Sequence, residues 1–461
     1  MISKNTAKTI LSLLLRNGGD FGEIFIQSRK SNGIRFDDNK LESASSGFEE
    51  GCGIRLIHND CTYYAYVDSV QKLRLIETAK ILSSAINNSN AAKILNLNTT
   101  KSNYSTKILK YPDKIDTSIK SNILFEINNA AREVSSKVIQ VTSTLNDIEE
   151  DIIVINSEGL FSENKTVRTF LAVNVVAMRG NEIKTGYKSY AKTKGFEIFD
   201  EKNPIDIAKE AASIAVKMLD AINAPAGSYP VVIGPGFGGV IFHEACGHGL
   251  EADAIVKDAS VFKGKIGKKI ASEVVTAVDD STLEHHWGSY KFDGEGYPSR
   301  KNILIEKGIL KSYLSDYKSA KKLGIPMTSN GRRQSYRDIP FPRMSNTFID
   351  NGNEDSMQII KSVKKGIYAK EFLGGQVDPA TGDFVFGISE GYLIENGSIT
   401  NPIKGATLIG NGPEVLKKIV AVGSDLDFSP GFCGKNGQSI PNEVGQPTIL
   451  VSDITVGGTS I

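Results

Sequence analysis

The chain has 461 residues, of which 40% are hydrophobic and 23% are charged. These fractions are typical of globular proteins, and the length predicts roughly two or three domains. The formal net charge of +1 gives no electrostatic support for a nucleic-acid-binding protein. Four cysteines are too few for a disulfide framework in so long a chain, so we expect a reducing compartment.

The sequence also lacks the patterns of export and membrane insertion. Its N-terminal apolar run is short, is interrupted by Arg16, and precedes no small-residue cleavage site. No stretch approaches the ~18 uninterrupted apolar residues of a membrane helix. We therefore expect a soluble, cytoplasmic protein.

The first half of the chain predicts an α+β domain. Helical periodicity is found at residues 3–17, 71–88, 118–136 and 204–222. Between these helices, alternating segments predict strands, with a hairpin turn near Asn59-Asp60. Because the strands follow one another closely, we expect an antiparallel sheet in an N-terminal domain over residues 1–223.

The second half differs in composition and in its pattern of predicted elements. APAGSYP, at residues 224–230, clusters Pro, Gly and Ser directly after a helix and predicts a domain boundary. Downstream, short strand-like runs alternate with glycine turns such as Glu395-Asn396-Gly397. This pattern predicts a mainly antiparallel β domain, barrel-like or sandwich-like, over residues 224–461.

VIFHEACGHGLEAD, at residues 240–253, is the most distinctive motif. It places His243 and His248 five positions apart, with Glu244 directly after the first histidine. The preceding residues predict a buried strand, a Gly-Pro-Gly turn and a helix that begins near Phe237. On an ideal helix, residues four apart diverge by about 40°, whereas residues five apart diverge by about 140°. A regular helix would therefore point the two imidazoles in different directions.

One extra residue can be absorbed by a bulge, which is often found at functional sites. Gly247 and Gly249 tolerate unusual backbone angles, so they would allow a bulge at this point. We therefore predict a distorted helix that directs His243 and His248 toward one metal ion. The alternative is that both histidines are merely packed and hydrogen-bonded within a helix.

A catalytic zinc site normally has three protein ligands and one open position, so a third ligand is needed. The candidates are Cys246, Glu251, Asp253, His285, His286 and Cys433. Cys433 is predicted in a Pro/Gly-bounded loop, where a thiolate could approach a metal without strand constraints. Cys246 shares a helical segment with both histidines, so its side chain has less freedom. Local reasoning favours Cys433 slightly and leaves the other candidates open.

Three separate stretches of the second half carry a family resemblance. They are HEACGHGLEAD, NGRRQSYRDIPFPRMSNT and PGFCGKNGQSIPNEVGQPTILVSDITVGGT, in that order. Together they resemble the TldD/PmbA family of metallopeptidases, and the first half resembles the N-terminal domain of that family in layout. The chain is similar to the catalytically complete, TldD-like branch.

The resemblance implies a zinc ion, Zn²⁺, held by His243, His248 and Cys433, and it matches Glu244 to the catalytic glutamate. It gives Cys246 no role. It also implies short, unstructured peptides as substrates. Dimers are implied as well, either of identical chains or with a catalytically silent, PmbA-like paralogue.

Two imidazoles and one thiolate leave zinc with a net charge near +1 and a free position, where it can acidify water. Glu244 would act as the general base and later return the proton to the leaving amine. Glu251 and Asp253 are candidates to orient the ligand imidazoles, with helix capping or a salt bridge as the alternative.

The arginines of NGRRQSYRDIP are further candidates for a functional role. Arg332, Arg333 and Arg337 could position substrate or stabilise an oxyanion, and structural ion pairs are the alternative for each.

The sequence thus predicts a zinc-dependent peptidase for short or unfolded peptides. An alternative is a regulatory binding subunit in which zinc is structural and the chain modulates a partner protein. A third hypothesis is an amidohydrolase that acts on other substrates through the same activation of water.

Overall fold

The computed structural model describes residues 2–86, 92–378 and 380–458. Its α-helices are α1 (Lys4–Leu15), α2 (Lys72–Ser84), α3 (Thr117–Glu133), α4 (Ile198–Glu201), α5 (Pro204–Met218), α6 (Val240–Phe242), α7 (Ala252–Val256), α8 (Tyr317–Leu323), α9 (Ser356–Ser362) and α10 (Gly412–Lys417). Single 3₁₀ turns occur at Pro112–Lys114, Gly236–Gly239 and His248–Leu250, and a π-helical turn occurs at His243–Gly247.

The strands are β1 (Phe21–Asp37), β2 (Lys40–His58), β3 (Cys61–Val67), β4 (Asn98–Thr99), β5 (Val138–Asn156), β6 (Leu160–Arg179), β7 (Glu182–Lys192), β8 (Ile222–Asn223), β9 (Gly227–Ile233), β10 (Ala277–Asp280), β11 (Lys301–Glu306), β12 (Ile309–Leu310), β13 (Gly331–Arg332), β14 (Phe341–Pro342), β15 (Asn346–Ile349), β16 (Lys365–Val377), β17 (Asp383–Glu395), β18 (Ser398–Lys404), β19 (Thr407–Asn411), β20 (Ile419–Val422), β21 (Asp427–Lys435), β22 (Gln438–Gln446) and β23 (Ile449–Gly457).

The N-terminal half forms a sheet in the order β3-β2-β1-β5-β6-β4, with β7 also beside β6. Its long strands pair antiparallel, as the sequence predicted. The predicted hairpin turn is confirmed between β2 and β3, where Asn59 and Asp60 have φ of 48° and 65°. Two successive residues with positive φ are typical of the tight turn that follows the twist of paired strands.

The predicted helices of this half correspond to α1, α2, α3 and α5. The predicted end of the second helix, residues 87–88, lies outside the described residues. All four helices cover one face of the sheet. Leu11 and Leu14 of α1 pack with Ile24 of β1, and α3 and α5 cover Val141 of β5 farther along. Because side chains alternate along a strand, Phe25 and its same-face neighbours point to the opposite side, toward the C-terminal half.

In the C-terminal half, β9, β16, β17, β19 and β23 close into a barrel, because β16 pairs with both β9 and β17. A second sheet runs in the order β12-β11-β10-β15-β22-β21. The prediction of an α+β protein is confirmed, and of the two alternatives for the C-terminal half, barrel-like or sandwich-like, the structure has the barrel. Across the described residues, no helix is long and apolar enough to span a membrane.

The histidine motif lies against the barrel. Phe242, Ala245 and Leu250 belong to the same buried apolar cluster as Val231 of β9 and Leu408 of β19. The segment that carries both histidines is therefore anchored in the largest core of the C-terminal half.

Candidate metal centre

The helical segment changes pitch at the histidine motif. It begins with the 3₁₀ turn at Gly236–Gly239, continues through α6, and becomes π-helical over His243–Gly247. The backbone N–H of His248 donates to the carbonyl of His243, which is the i→i+5 bond of a π-helix. The extra residue is absorbed here, so the predicted distortion is confirmed.

The expected reason for Gly247 and Gly249 is wrong. Gly247 has ordinary helical angles, φ −55° and ψ −49°, and Gly249 does not have positive φ. Both glycines are required by space. A Cβ on Gly247 would lie 2.3 Å from Sδ of the fully buried Met344, and one on Gly249 would lie 2.9 Å from the Phe262 ring.

The distortion brings His243 and His248 together with Cys433. One ligand atom from each of the three residues lies within 4.8 Å of the other two. Sγ of Cys433 is 3.4 Å from Nε2 of His248, and the two imidazole centroids are 5.1 Å apart. Donor atoms around a tetrahedral zinc, with bonds of about 2.0–2.3 Å, are about 3.3–3.7 Å apart. The three side chains therefore fit a zinc ion after small adjustments.

Cys433 lies in an edge strand, and the expectation of a loop is wrong. It belongs to β21, opposite Ile440 of β22. Pro430, in the same strand, suggested a loop, but proline is compatible with an edge strand because its missing N–H can face outward. The fully buried Arg343 donates a hydrogen bond to the Cys433 carbonyl and fixes the backbone at this point.

Charges around the three side chains favour a thiolate. Burial raises the pKa of the Cys433 thiol, but the imidazoles of His243 and His248 lower it more strongly, to about 4. Burial lowers the pKa of His248, yet Glu251 and Cys433 raise it well above its ordinary value. In the absence of a metal, the arrangement is thus that of a thiolate beside a protonated imidazole.

Both imidazoles are held by neighbouring polar groups. Nδ1 of His248 donates to the Glu251 carboxylate at 3.0 Å, and Lys435 donates to the same carboxylate at 2.8 Å. Nδ1 of His243 is 3.4 Å from the Asn442 side-chain amide. A carboxylate on Nδ1–H fixes the orientation of the ring, so that Nε2 of His248 faces Cys433.

Asp253 differs from Glu251. Lys435 donates to its carboxylate at 2.7 Å, and Asp253 contacts neither imidazole within the described part of the chain.

Glu244 lies next to the group, within ion-pair distance of His248. Its Oε2 is 3.7 Å from Nε2 of His248, and its side chain is 31% exposed. Among the described residues, its carboxylate has no hydrogen-bond partner. A partly exposed carboxylate beside a candidate ligand nitrogen is suitably placed to exchange protons.

The other candidate ligands lie elsewhere. Cys246 is in the apolar core beside Ile241, and burial raises the pKa of its thiol. Nδ1 of His285 is 3.3 Å from the carbonyl of Thr193. Nδ1 of His286 is 2.6 Å from the Glu443 carboxylate.

The three motif arginines have structural contacts. Arg333 forms a buried ion pair with Glu23, and Arg337 pairs at the surface with Glu49. Arg332 donates to two backbone carbonyls. In the part of the chain that the structure describes, none of them contacts the two histidines and Cys433.

Sequence reasoning missed Lys435, Asn442 and Arg343. Lys435 could have been found, because it is two residues after Cys433 and side chains two apart on a strand share a face. Asn442 required the register of β21 with β22, and Arg343 required the tertiary fold.

A cleft of about 790 Å³ lies beside β21. Its lining includes Phe428 and Ser429 of β21, Tyr187 of β7, and the exposed Leu373 of β16. Within the described residues, β21 pairs with β22 alone, and its Gly431 and Cys433 carbonyls accept hydrogen bonds from the side chains of Trp287 and Arg343.

Comparison with known proteins agrees with this geometry. Residues 226–458 match the PmbA/TldA metallopeptidase C-terminal domain, residues 110–219 the central domain, and residues 22–87 domain 1. The chain belongs to the TldD/PmbA family. A metalloprotease TldD homolog from Haemophilus influenzae is 37% identical, over 100% of this chain and 97% of that protein. Another from Buchnera aphidicola is 38% identical, over 95% and 93%.

Solved structures of TldD/PmbA-like fold are also similar. TldE from Thermococcus kodakarensis superimposes with a TM-score of 0.79 at 22% identity, covering 98% of this chain and all of that one. A Thermotoga maritima protein, described as a candidate modulator of a DNA gyrase, gives 0.81 at 21% identity, with the same coverage. At these identities the similarity concerns the fold alone.

Proposed function

We propose that this TldD/PmbA-family chain is a zinc-dependent peptidase that hydrolyses short or unfolded peptides. The observation that carries the proposal is the convergence of His243, His248 and Cys433, with the partly exposed carboxylate of Glu244 beside them. Two imidazoles and a thiolate are a donor set that zinc prefers.

The residues of the chain have separate tasks in this reaction. A bound zinc ion would supply Lewis acidity, lowering the pKa of water and polarising a peptide carbonyl. Glu244 would accept the proton of the attacking water and deliver it to the leaving amine. Glu251 would hold the His248 ring through Nδ1, with Lys435 fixing that carboxylate in turn.

The position of β21 at the end of its sheet, beside the cleft, supports a peptide substrate. An extended peptide can add to an exposed sheet edge through main-chain hydrogen bonds, largely independent of its side chains. Such a peptide would lie along the strand that carries Cys433, in the cleft lined by Phe428 and Leu373. Folded proteins do not offer a free strand of this kind, so short or unfolded chains fit best.

The decisive test uses the full-length protein with zinc and a mixture of unstructured peptides, analysed by mass spectrometry. Glu244→Gln should lower kcat by about 10²–10⁴-fold, the usual contribution of a general base, while zinc content stays unchanged. Glu414→Gln is the matched control, because Glu414 is an exposed glutamate that pairs only with a surface lysine. If the zinc-loaded wild-type protein cleaves no peptide, alone or with a paralogue, the result supports the alternative of a regulatory binding subunit.

Ligand identity is tested with two cysteine variants. Cys433→Ser should lose zinc, because an alcohol is a far weaker zinc ligand than a thiolate. Cys246→Ser should keep zinc, since that side chain lies in the apolar core. The opposite pattern in metal analysis would overturn the assignment of Cys433.

We also propose that the chain acts as a dimer, with an identical chain or a PmbA-like paralogue. The structural similarity to TldE supports a related partner. Light scattering of the purified protein, with and without such a paralogue, would distinguish the two forms.

A further inference from the structure

A second cavity, of about 220 Å³, lies between the helix-free face of the N-terminal sheet and the C-terminal half. Its floor includes Gln27 of β1, Ile152 of β5 and Asn164 of β6, which are neighbours in the sheet register. Tyr290 and Phe432 from the C-terminal half line it from the other side. We call it the arginine cavity because of its other lining residues, Arg29, Arg168, Arg332 and Arg333.

Three of these arginines are buried despite their charge. Arg168, Arg332 and Arg333 are only 8%, 7% and 9% exposed. Arginine is rarely buried to this degree without a paired carboxylate. Arg333 is paired with the buried Glu23, and the carboxylates that line the cavity are Glu150 and Asp293.

Within the described residues, Glu150 and Asp293 give Arg168 and Arg332 no close ion pair. Glu150 accepts a hydrogen bond from Gln27 at 2.6 Å and is 4.0 Å from Arg168. Asp293 accepts hydrogen bonds from backbone N–H groups, and burial raises its pKa well above the ordinary value, which favours its neutral form.

The guanidinium groups keep unused donors. Nε of Arg168, and both Nε and Nη1 of Arg333, are buried without a hydrogen-bond partner among the described residues. Arg332 donates to the carbonyls of Met344 and Pro441, so its charge has no opposite partner there. A buried charge without an opposite partner is costly, and an anion in the cavity would offset the charges of Arg168 and Arg332.

The cavity is not only cationic. Phe25, Ile152, Phe292 and Phe432 give it apolar walls. An inorganic anion would leave these walls without a complementary surface, whereas a carboxylate with an attached apolar group would satisfy both halves of the cavity. Arginine is also well suited to carboxylates because its planar fork can donate two parallel hydrogen bonds.

We propose that the arginine cavity binds the carboxylate of a small apolar organic acid, such as the C-terminal residue of a peptide. The site is separate from the metal centre although they share strand β21. Phe432 lines the cavity, and adjacent residues of a strand point to opposite faces, so Cys433 faces His248 on the other side. Binding therefore needs neither zinc nor hydrolysis and does not depend on the proposed function.

The test is calorimetry with the full-length Glu244→Gln protein, which removes turnover. The probes are N-acetyl-leucine, N-acetyl-leucine amide, 4-methylpentanoate and sulfate. We expect N-acetyl-leucine to bind at least tenfold more tightly than its uncharged amide. If 4-methylpentanoate binds equally well, the site takes free carboxylic acids; if much more weakly, it takes the C-terminal residue of a peptide.

Two variants locate the binding. Arg168→Gln should weaken N-acetyl-leucine binding at least tenfold, whereas Arg35→Gln, at an exposed position farther along the same sheet, should not. If Arg168→Gln unfolds, Asn164→Asp serves instead, because it adds a negative charge to the cavity at nearly constant shape and should also weaken binding tenfold. Equal binding of acid and amide, binding of sulfate alone, or unchanged binding in Asn164→Asp would overturn the proposal.

Discussion

Replacing Gly247 by alanine tests whether close packing, and not backbone angle, determines the π turn. Gly247 already has helical angles, so an alanine there is not strained by its φ. Alanine would even favour a helix by about 0.5–1 kcal/mol over glycine. The new methyl carbon, however, would lie 2.3 Å from Sδ of Met344, far inside contact distance.

The clash can be relieved only if the buried Met344 side chain or the π turn moves. Met344 is fully buried, and Arg332 donates to its carbonyl, so its backbone is held in place. Overpacking of this kind typically costs about 1–3 kcal/mol, which exceeds the gain in helix propensity by about 1 kcal/mol. Part of the adjustment must come from the π turn, which displaces His243 relative to His248. We expect zinc affinity to fall at least about tenfold, a change like that from losing a group that orients a ligand.

The assay is competition for zinc with a chelating dye, alongside thermal unfolding with and without zinc. Gly434→Ala is the matched control, because Gly434 also adjoins a candidate ligand but a Cβ there meets nothing within 4 Å. Adding Met344→Ala to Gly247→Ala should restore part of the affinity, giving a coupling between the two positions. Wild-type zinc affinity in Gly247→Ala, with no coupling to Met344, would refute the packing argument.

Two further predictions concern buried carboxylates. Glu251→Gln should weaken zinc binding by about 10–100-fold in the same dye assay, because the amide holds His248 less firmly than a carboxylate; an unchanged affinity would remove Glu251 from the centre. Burial raises the pKa of Glu295 from 4.5 to about 7, so its proton stabilises the folded state below about pH 4.5, and that stability is lost as pH rises through 7. Glu295→Gln should flatten the pH dependence of urea unfolding between about pH 5 and 8, and an unaltered slope would indicate that Arg55 keeps Glu295 ionised.

Local patterns in the sequence were sufficient for much of this structure. The α1 periodicity and the Asn59-Asp60 turn are properties of a few adjacent residues, and both appear as predicted. The π turn was also predictable, because a five-residue spacing cannot serve one metal without it. The choice between a barrel and a sandwich could not be predicted, because it depends on the pairing of β16 at both of its edges.

The parts of the site that were not predicted depend on contacts distant in sequence. The need for glycine at position 247 comes from Met344, almost a hundred residues later. Cys433 was expected in a loop because its neighbours are proline and glycine, residues that an edge strand also accepts. Asn442 reaches His243 only through the pairing of two strands.

The order in which the chain is synthesised delays the appearance of this centre. His243 and Glu244 leave the ribosome before Cys433, which is synthesised 185 residues after His248. Strand β23, from Ile449 to Gly457, is inserted between β9 and β19, so a nascent chain that has not reached it cannot close the barrel. Since domains generally fold as units during translation, a ribosome-bound fragment would carry the histidines without an assembled metal centre. Any hydrolytic activity would thus be confined to chains in which β23 has already been synthesised.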